Sequence, residues 1–529
     1  MQKRKVVSRA ASKVDKPPKA KKKRAPSKKT KRVVGVTTIN AWETDPGNGN
    51  QPTGGTFVQR PVPVLSTAPL PTRIVNPAQA PAAGQFAPGT PGFRYWTAAE
   101  ALRRSSDYWG ALLPGVSWQV GASLPVGLDE GERLNAFYDR VGLSFFHADV
   151  GGRTVYSGES ADVVCHELGH ALLDSIKPQL WDAASLEIAA FHEAFGDITA
   201  ILAALQLPTL RHAVLLETGG ALYRTSRLTR VAEQLGWAIR QSRPSSVDAD
   251  CLRNAVNSFF YREPNTLPTN APATSLSSEP HSFSRVFTGA FFEGLAGMLN
   301  VRPAQDEPNL LQVSQDMGRL LADAIRAASV VPTFFSQVAA NVLRIATQRF
   351  AAQGYEQPLR SAFVRHGVLP PGPAFAVAAT QPMPMTAAAA EPTTLQQVRL
   401  SVAEYGLGVP SVLVYAASEP KTFDVAGAAM AIGAAVAPAQ DEAAKAFLED
   451  LLRRGRLKVA TPAGRRAEIV RPTAVSGPES HTHEIMREGA DAVLRRVRVD
   501  CNCFLMPQSH INGERYGEGG RKEAQGGTC

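Results

Sequence analysis

Apolar residues recur with a helical period in three stretches of the chain. TAAEALRRSSDYWGALL places Ala98, Leu102 and Trp109 on roughly one helical face and ends at a Pro-Gly pair. ADVVCHELGHALLDSI and SLEIAAFHEAFGDITAILAAL predict two further helices. The runs VSWQV and GLSFF, which lie between the first and second stretches, predict short strands. Together these elements predict an α+β fold whose second half, up to about Gly367, is mainly helical.

The ends of the chain have a different composition. Residues 1–33 predict a disordered basic tail, and residues 34–92, dense in Pro, Gly, Thr and Gln, predict a linker with order beginning near Phe93. Residues 373–392 are rich in Ala, Pro and Met and predict a second linker. Residues 393–529 alternate strand-like runs with the helical stretch DEAAKAFLEDLLRRG, which predicts a separate small α+β domain of unknown role.

The positive charge of the chain lies in its first 32 residues. They hold fifteen Lys or Arg and one acid, so the net charge of this tail is +14 and that of the remainder is −4. Clustered basic residues bind polyanions such as nucleic acid or an acidic surface, because they release condensed counterions. A solvated terminus without a partner is the alternative interpretation of the same composition.

Neither a secretory signal nor a membrane-spanning stretch is recognisable. The basic start is not followed by an apolar run of roughly 7 to 15 residues, and no segment approaches about 20 consecutive apolar residues. Five cysteines form an odd and sparse set that fits a reducing compartment. These features predict a cytoplasmic protein without a transmembrane segment, with leaderless export left open.

The second helical stretch contains a candidate zinc motif. His166 and His170 stand at positions i and i+4, so both imidazoles project from one face of a helix and can bind one zinc ion. Glu167 on the adjacent stripe can reach a water molecule on that ion and act as a general base. A helical His pair packed without metal is the alternative interpretation of this motif.

The next helix offers a third ligand. A third His six residues beyond His170 would be typical of metzincins, but that position is Ile176. Glu193 and Asp197 instead lie at i and i+4 of the following helix. Glu193 can be the third, anionic ligand, and Asp197 can accept the outward N–H of a ligating His. An exposed acidic pair without a metal is the alternative.

From about Phe93 to Leu369 the sequence resembles the thermolysin-like zinc metallopeptidases, which are gluzincins. The resemblance is carried by four ordered blocks, which contain LNAFYDRVGLSFFHADVGGRTVYSGESADVVCHELGHALLD, the Glu-x-x-x-Asp helix, PHSFSRVFTGAFFEGL, and PTFFSQVAANVLRIATQRF with LRSAFVRHGVL. It implies a zinc-bearing mixed lobe over residues 93–207 and a mainly helical lobe over residues 208–372. It also implies one catalytic Zn2+.

The resemblance implies further site residues. His281 matches the hydrogen-bond donor to the developing oxyanion. Asn135 and Ala136 match the edge strand to which an extended peptide substrate adds. Arg224 is the weakly matched candidate for holding a substrate carbonyl, with Arg227 and Arg230 as competitors.

The sequence also departs from the family pattern. Where the family loop between the two ligand helices has an oxyanion-assisting Tyr, this loop has Trp181, whose single N–H has a different reach. Asp162 matches a calcium-binding position, but the acid expected beyond Asp197 is replaced by Ala204, so calcium binding is not expected. Cys165, beside the first ligand, is predicted to be a small buried residue.

The predicted function is hydrolysis of peptide bonds by zinc-activated water with Glu167 as the base. The predicted open edge strand favours endopeptidase over exopeptidase action. Two alternatives from other classes stay open. The first is a catalytically weak or inactive thermolysin-like scaffold or binding protein tethered by its basic tail, and the second is a nucleic-acid-associated protein whose peptidase acts locally.

Overall fold

The computed structural model describes residues 38–46, 56–370, 395–417, 439–459 and 481–500. Its helices are α1 Pro91–Leu112, α2 Ala161–Ile176, α3 Leu186–Ala204, α4 Pro208–Thr218, α5 Glu233–Arg240, α6 Pro280–Asn300, α7 Glu307–Ala327, α8 Phe334–Arg349, α9 Glu356–Arg365 and α10 Gln440–Arg453. Its strands are β1 Thr38–Trp42, β2 Phe57–Pro61, β3 Thr72–Asn76, β4 Leu124–Gly127, β5 Ala136–Tyr138, β6 Leu143–Phe145, β7 His147–Val150, β8 Arg153–Tyr156, β9 Arg230–Val231, β10 Arg253–Asn254, β11 Gln397–Ser401, β12 Ser411–Tyr415, β13 Leu457–Val459, β14 His483–Glu488, β15 Asp491–Arg496 and β16 Val499–Asp500. This mixture of helices and several small sheets confirms the α+β class. The predicted tail over 1–33 and the predicted linker over 373–392 lie outside the described residues.

Helices α2 and α3 begin at serine side-chain caps. Ser160 Oγ accepts the backbone N–H of Val163 at 3.1 Å, and Ser185 Oγ accepts that of Ile188 at 3.4 Å. These bonds satisfy donors that the first turn of a helix leaves unpaired. The two helices therefore begin close to the positions predicted from the sequence, and α2 covers the same residues as its predicted helix.

The first sheet has the strand order β16-β5-β6-β4-β3. Strand β6 confirms the strand predicted in GLSFF, and it pairs antiparallel with β5 and parallel with β4. The prediction of a strand in VSWQV is wrong. This segment forms a turn with an isolated bridge between Trp118 and Gly121. Trp118 is buried there, and its indole N–H donates to the carbonyl of Pro71 at 2.7 Å. The apolar residues of this segment are therefore explained by burial of a turn.

The described residues between 38 and 92 contain three strands and differ from the predicted linker. β1 and β2 pair antiparallel, and β3 joins the first sheet. The buried Trp42 ring lies 5.1 Å from the Phe93 ring between centroids, and its backbone N–H donates to Thr97 Oγ1 at 3.0 Å. The expectation that order begins near Phe93 was wrong for these residues. Strands this short carry no detectable period and are stabilised by packing against α1.

The described residues from 395 to 500, which we call the C-terminal unit, contain a second sheet with the order β11-β12-β15-β14-β13, against which α10 packs. Its apolar cluster also includes Ala184, Leu186 and Ala189 at the start of α3. The backbone N–H of Ala184 donates to the carbonyl of Tyr415 at 2.8 Å. The C-terminal unit therefore has an apolar cluster of its own, which also packs against the start of α3. The sequence expectation of a separate domain stays a prediction.

Helix α6 packs between α3 and α9. The Phe287 ring lies 5.1 Å from that of Phe191 on α3 and 6.0 Å from that of Phe363 on α9, between centroids. This packing holds the first turn of α6 beside the middle of α3. Within the described part of the chain, no single helix is long and apolar enough to span a membrane. Helices α3 and α4, joined by a bend of 100°, together have the length and apolar composition of a broken span.

Candidate metal centre

Helix α2 brings two imidazoles and a carboxylate together on its buried side. The candidate ligand atoms of His166, Glu167 and His170 all lie within 4.8 Å of one another. The two imidazole rings are nearly perpendicular, at 88°, with centroids 4.8 Å apart. The structure thus places side by side the three residues that the sequence motif predicts.

A close approach of α2 and α3 positions the third candidate ligand. A Cβ atom on Gly169 would lie 2.9 Å from the Cα of Gly196, and one on Gly196 would lie 2.6 Å from the ring of His166. Both distances are shorter than real Cβ atoms tolerate, so the two helices can approach this closely only because both residues are glycines. Their approach brings Glu193 on α3 to the histidines of α2.

Glu193 lies against both histidines. Its Oε2 is 3.3 Å from Nε2 of His166, and its Oε1 is 3.9 Å from Nε2 of His170. A tetrahedral zinc ion with bonds of about 2.0–2.2 Å separates its ligand atoms by about 3.3–3.6 Å. The three side chains therefore converge at separations close to those of a zinc site.

The hydrogen bonds around the site also fit a cation. His166 Nδ1 donates to Asp197 Oδ1 at 2.9 Å, so in the neutral ring Nε2 carries a lone pair that faces the Glu193 carboxylate. Two acceptors at this distance repel each other unless a proton or metal ion lies between them. His170 is fully buried, and neither of its ring nitrogens has a hydrogen-bond partner among the described residues. Two imidazole nitrogens and one carboxylate are the donor set of a catalytic zinc.

The protonation pattern of the metal-free site follows from these contacts. Burial lowers the pKa of His166, but its hydrogen bonds to Asp197 and Glu193 outweigh burial and raise that pKa to about 9. Burial raises the pKa of Glu193, but His281 and the two other histidines hold it well below the usual range. Burial lowers the pKa of His170, which stays well below its ordinary value. His170 is therefore neutral and its lone pair can bind a metal ion.

Arg253 at the start of β10 holds Asp197. Its Nε donates to Asp197 Oδ2 at 2.8 Å and its Nη2 donates to Oδ1 at 2.7 Å. Burial raises the pKa of Asp197, but the charge of Arg253 outweighs burial and keeps the pKa well below the ordinary value. Asp197 is thus a fixed acceptor for His166. Sequence reasoning missed Arg253, and the only signal for it was that a buried Asp on an apolar helix needs a cationic partner.

His281 in the first turn of α6 reaches the same carboxylate. Its Nε2 lies 3.1 Å from Glu193 Oε2, and its Nδ1 donates to Glu279 Oε1 at 2.6 Å. Burial raises the pKa of Glu279, but His281 outweighs burial and lowers that pKa to about 2. Sequence reasoning missed Glu279 as the residue that fixes the orientation of this ring, although the acid stands two positions before His281.

The family comparisons give no match. No protein-family model matches the chain, and no curated protein matches it significantly. The resemblance to thermolysin-like peptidases therefore rests on the motifs quoted above and stays a prediction.

Of the three predicted substrate-binding residues, Asn135 and Ala136 lie at the start of β5. Ala136 is the first residue of β5, and its backbone N–H donates to Asn135 Oδ1 at 2.9 Å. Arg224 is exposed in the segment between α4 and β9. The competing Arg227 and Arg230 form ion pairs with Glu217. The arginine that the structure brings to the candidate site is Arg253.

Trp181 does not direct its N–H at the candidate ligands. The indole Nε1 donates to the carbonyl of Arg496 at 3.2 Å, and Arg496 Nε donates back to the Trp181 carbonyl at 2.7 Å. The departure from the family Tyr is therefore larger than a change of reach, since the indole N–H is already bonded to the C-terminal unit.

Two further sequence expectations concern the N-terminal part of α2. Cys165 is a free, buried thiol whose pKa burial raises to about 12, as expected of an inert small residue. Asp162 lines a small cavity beside Ala204 together with Asp45 and Glu233. The sequence analysis did not predict that Asp45 and Glu233 lie near Asp162. The expectation of no calcium stays a prediction.

The candidate centre is enclosed. Glu167 and His170 are fully buried, and His166, Glu193 and His281 are exposed by at most 6%. A peptide bond must contact Glu167 to be hydrolysed by it. In this arrangement of the chain the base is not accessible to a solvent-borne substrate.

Proposed function

We propose that the chain is a zinc-dependent metallopeptidase of the thermolysin-like type that acts as an endopeptidase. The observation that carries this proposal is the convergence of Glu193 on both imidazoles of the HELGH helix, with Glu167 in the same cluster. A general base beside a two-histidine, one-glutamate donor set is the arrangement that metal-assisted hydrolysis requires. The mixed lobe that contains α2 and the helices that follow α3 are compatible with a thermolysin-like arrangement.

His166, His170 and Glu193 would hold the metal. When bound, zinc supplies a Lewis acid that polarises the scissile carbonyl and lowers the pKa of water toward 7. A Glu167 carboxylate oxygen takes the proton of the attacking water and later delivers it to the leaving nitrogen. Asp197, itself held by Arg253, fixes the tautomer of His166 so that Nε2 is free of a proton.

The remaining site residues act on the substrate. His281, oriented through Nδ1 by Glu279, presents Nε2 at the site and donates a hydrogen bond to the developing oxyanion. Asn135 and Ala136 stand at the start of the strand to which an extended peptide would add. His281 is the oxyanion donor of this proposal, because the Trp181 N–H is directed to Arg496.

Replacement of the base tests the assignment. Glu167→Gln keeps the size of the side chain and removes its basicity, so bound zinc is retained and peptide cleavage falls about 10²–10⁴-fold. Zinc content by atomic spectroscopy and cleavage of a quenched peptide library measure the two effects on one sample. The matched control is Glu217→Gln on α4, where the carboxylate pairs with Arg227 outside the site. Wild-type activity in zinc-loaded Glu167→Gln would contradict the mechanism.

A second candidate function is a catalytically inactive scaffold or binding protein of the same fold. The enclosure of Glu167 is the observation that favours it. Absence of bound zinc together with absence of cleavage would support this alternative. A polyanion partner for residues 1–32 and a cytoplasmic location stay predictions from the sequence.

A further inference from the structure

The outer edge of β5 is occupied by the chain's own C-terminal strand. β16 pairs antiparallel with β5, with Val499 opposite Tyr138 and Asp500 opposite Phe137. β5 would otherwise end the first sheet, since its other neighbour is β6. A sheet edge presents unpaired backbone groups to which an extended peptide adds as a strand. β16 therefore lies on the edge of the strand to which the proposed function adds the substrate, opposite the two residues that follow Asn135 and Ala136.

Side chains hold β16 in place. Val499 and Asp500 are both buried. The guanidinium of Arg498 lies 5.1 Å from the centre of the Phe137 ring, and its Nη2 lies 3.0 Å from Asp500 Oδ2. The strand is thus fixed by its register on β5 and by an aromatic contact with the same strand.

The same unit also contacts the loop between the two ligand helices. Trp181 and Arg496 exchange two hydrogen bonds, as described above. Next to them, Arg495 Nη1 lies 3.1 Å from Asp182 Oδ2. The start of α3, which carries Glu193, is therefore tied to β15.

A third contact lies before α6. Arg454 at the end of α10 donates to Ser278 Oγ at 3.1 Å and to Asn270 Oδ1 at 3.5 Å. Ser278 stands three residues before His281. The C-terminal unit thus touches the edge strand, the loop between the ligand helices and the segment leading to His281.

We propose that β16 is a built-in occupant of the substrate edge, and that the peptidase accepts peptides only after β16 leaves β5. The pairing of β16 with β5 is the evidence for this inference. That the edge of β5 binds substrate rests on the proposed function. The pairing of β16 spans two residue pairs, whereas β14 and β15 pair over six. Release of β16 therefore leaves the second sheet intact.

Proline substitution separates this strand from β5. In the full-length chain, Val499→Pro combined with Asp500→Pro removes both N–H groups of β16, including the one that faces β5. The matched control is Gln397→Pro with Val398→Pro in β11, the edge strand of the second sheet, which has no place in the first sheet. If the chain with both prolines shows no native melting transition, Arg498→Ala is used in its place. This substitution removes the contact with Phe137 and is expected to weaken the attachment of β16 less severely.

Two readouts do not depend on catalysis. Of the Phe137 and Tyr138 amides, one faces β16 and the other faces β6. Hydrogen exchange of the amide that faces β16 is expected to become at least tenfold faster in the β16 variant than in the control. In the Glu167→Gln background, a fluorescein-labelled pool of uncharged hexapeptides is expected to bind at least tenfold more tightly when β16 is released. Cleavage of the quenched library by chains with intact Glu167 is expected to rise by a similar factor.

The outcomes distinguish the two proposals. Faster exchange and tighter peptide binding without any cleavage would support the occupancy of the edge by β16 and contradict the peptidase assignment. Equal exchange, equal binding and an equal rate of Glu167-dependent cleavage in variant and wild type would overturn the occupancy and leave the peptidase assignment standing.

Discussion

At the residue scale, the charge on Asp197 determines how His166 is presented. Asp197 accepts from both His166 and Arg253 while fully buried. Removal of its charge leaves the guanidinium of Arg253 buried without its anion and weakens the hold on the imidazole tautomer. In the proposed site, Asp197 and Arg253 would thus orient His166 without contacting the metal.

Asp197→Asn is therefore expected to weaken zinc binding by about 10–100-fold. Competition titration against a fluorescent zinc chelator measures this affinity. The matched control is Asp316→Asn on α7, a buried Asp that accepts from Tyr355 at 3.0 Å and lies away from the candidate ligands. Equal zinc affinity in the two variants would contradict the supporting role of Asp197.

A second buried acid gives a pH-dependent stability. Glu187 in the first turn of α3 has its pKa raised from 4.5 to about 8 by burial, against the hydrogen bond from the Phe335 backbone N–H. A carboxyl whose folded pKa is raised binds its proton more tightly in the folded state. Its contribution to stability is thus complete below about pH 4.5 and is lost as the pH rises through about 8.

The wild type is accordingly expected to lose stability relative to Glu187→Gln between pH 5 and pH 8.5, by an amount on the order of a few kcal/mol. Urea unfolding of both chains at several pH values measures the difference. A constant difference across this range would show that Glu187 is ionised in the folded protein.

The site residues that could be predicted from the sequence are those that recur with the spacing of a helical turn. His166, His170, Glu193 and Asp197 stand at i and i+4 on two capped helices, and the structure brings all four together. Arg253 lies in a two-residue strand, and Glu279 precedes a helix as its N-cap residue. Neither position has a period from which its partner could be predicted.

At the element scale, the site depends on how closely α2 and α3 approach. Gly196→Ala would put a methyl group 2.6 Å from the ring of His166, so the imidazole or the helix must move. We expect a loss of stability of about 1–3 kcal/mol and weaker zinc binding. Thermal unfolding and zinc titration of the purified variant measure both.

Gly294→Ala on α6 is the control for this change. It is also a helical glycine, but the tightest contact of its Cβ would be with the end of the flexible Leu359 side chain, at 3.0 Å, and the next would be an ordinary contact with Met317 at 3.6 Å. The higher helix propensity of Ala offsets that contact, so the change in stability is within about 1 kcal/mol. Equal effects of the two substitutions would show that the approach of α2 and α3 does not control the site.

Helices are the elements that could be predicted here. α2 covers the same residues as its predicted helix because a serine cap, an apolar stripe and a following Pro mark both of its ends. β1 and β2 could not be predicted, since five-residue strands in a Pro- and Thr-rich stretch are stabilised by contacts with α1 that are distant in sequence. The same holds for β16, whose partner precedes it by some 360 residues.

At the scale of the whole molecule, the proposed metal site predicts that metal binding and folding are coupled. The three candidate ligands come from two helices, so the proposal predicts that zinc binds the folded chain more tightly than the unfolded one. Zinc at one hundred times its dissociation constant is expected to stabilise the protein by about 2.7 kcal/mol and to raise Tm, and chelation is expected to reverse the effect. Thermal unfolding with and without zinc measures it. An equal shift in Glu193→Ala would place the bound zinc elsewhere.

The C-terminal unit links this chemistry to the arrangement of the whole chain. The sequence predicts a separate domain over residues 393–529, whereas the described part of it contacts three segments around the candidate centre and adds a strand to the first sheet. Such contacts depend on tertiary packing and have no local sequence signal.

The most direct test of the central claim is the rate at which zinc-loaded chains cleave a quenched peptide library, compared with and without Glu167→Gln in both the wild type and the β16 variant. The account predicts one zinc ion per chain in all four proteins. It predicts cleavage only where Glu167 is intact, with the faster rate in the β16 variant. Equal cleavage with and without Glu167→Gln, or no cleavage by the zinc-loaded β16 variant with intact Glu167, would contradict the account.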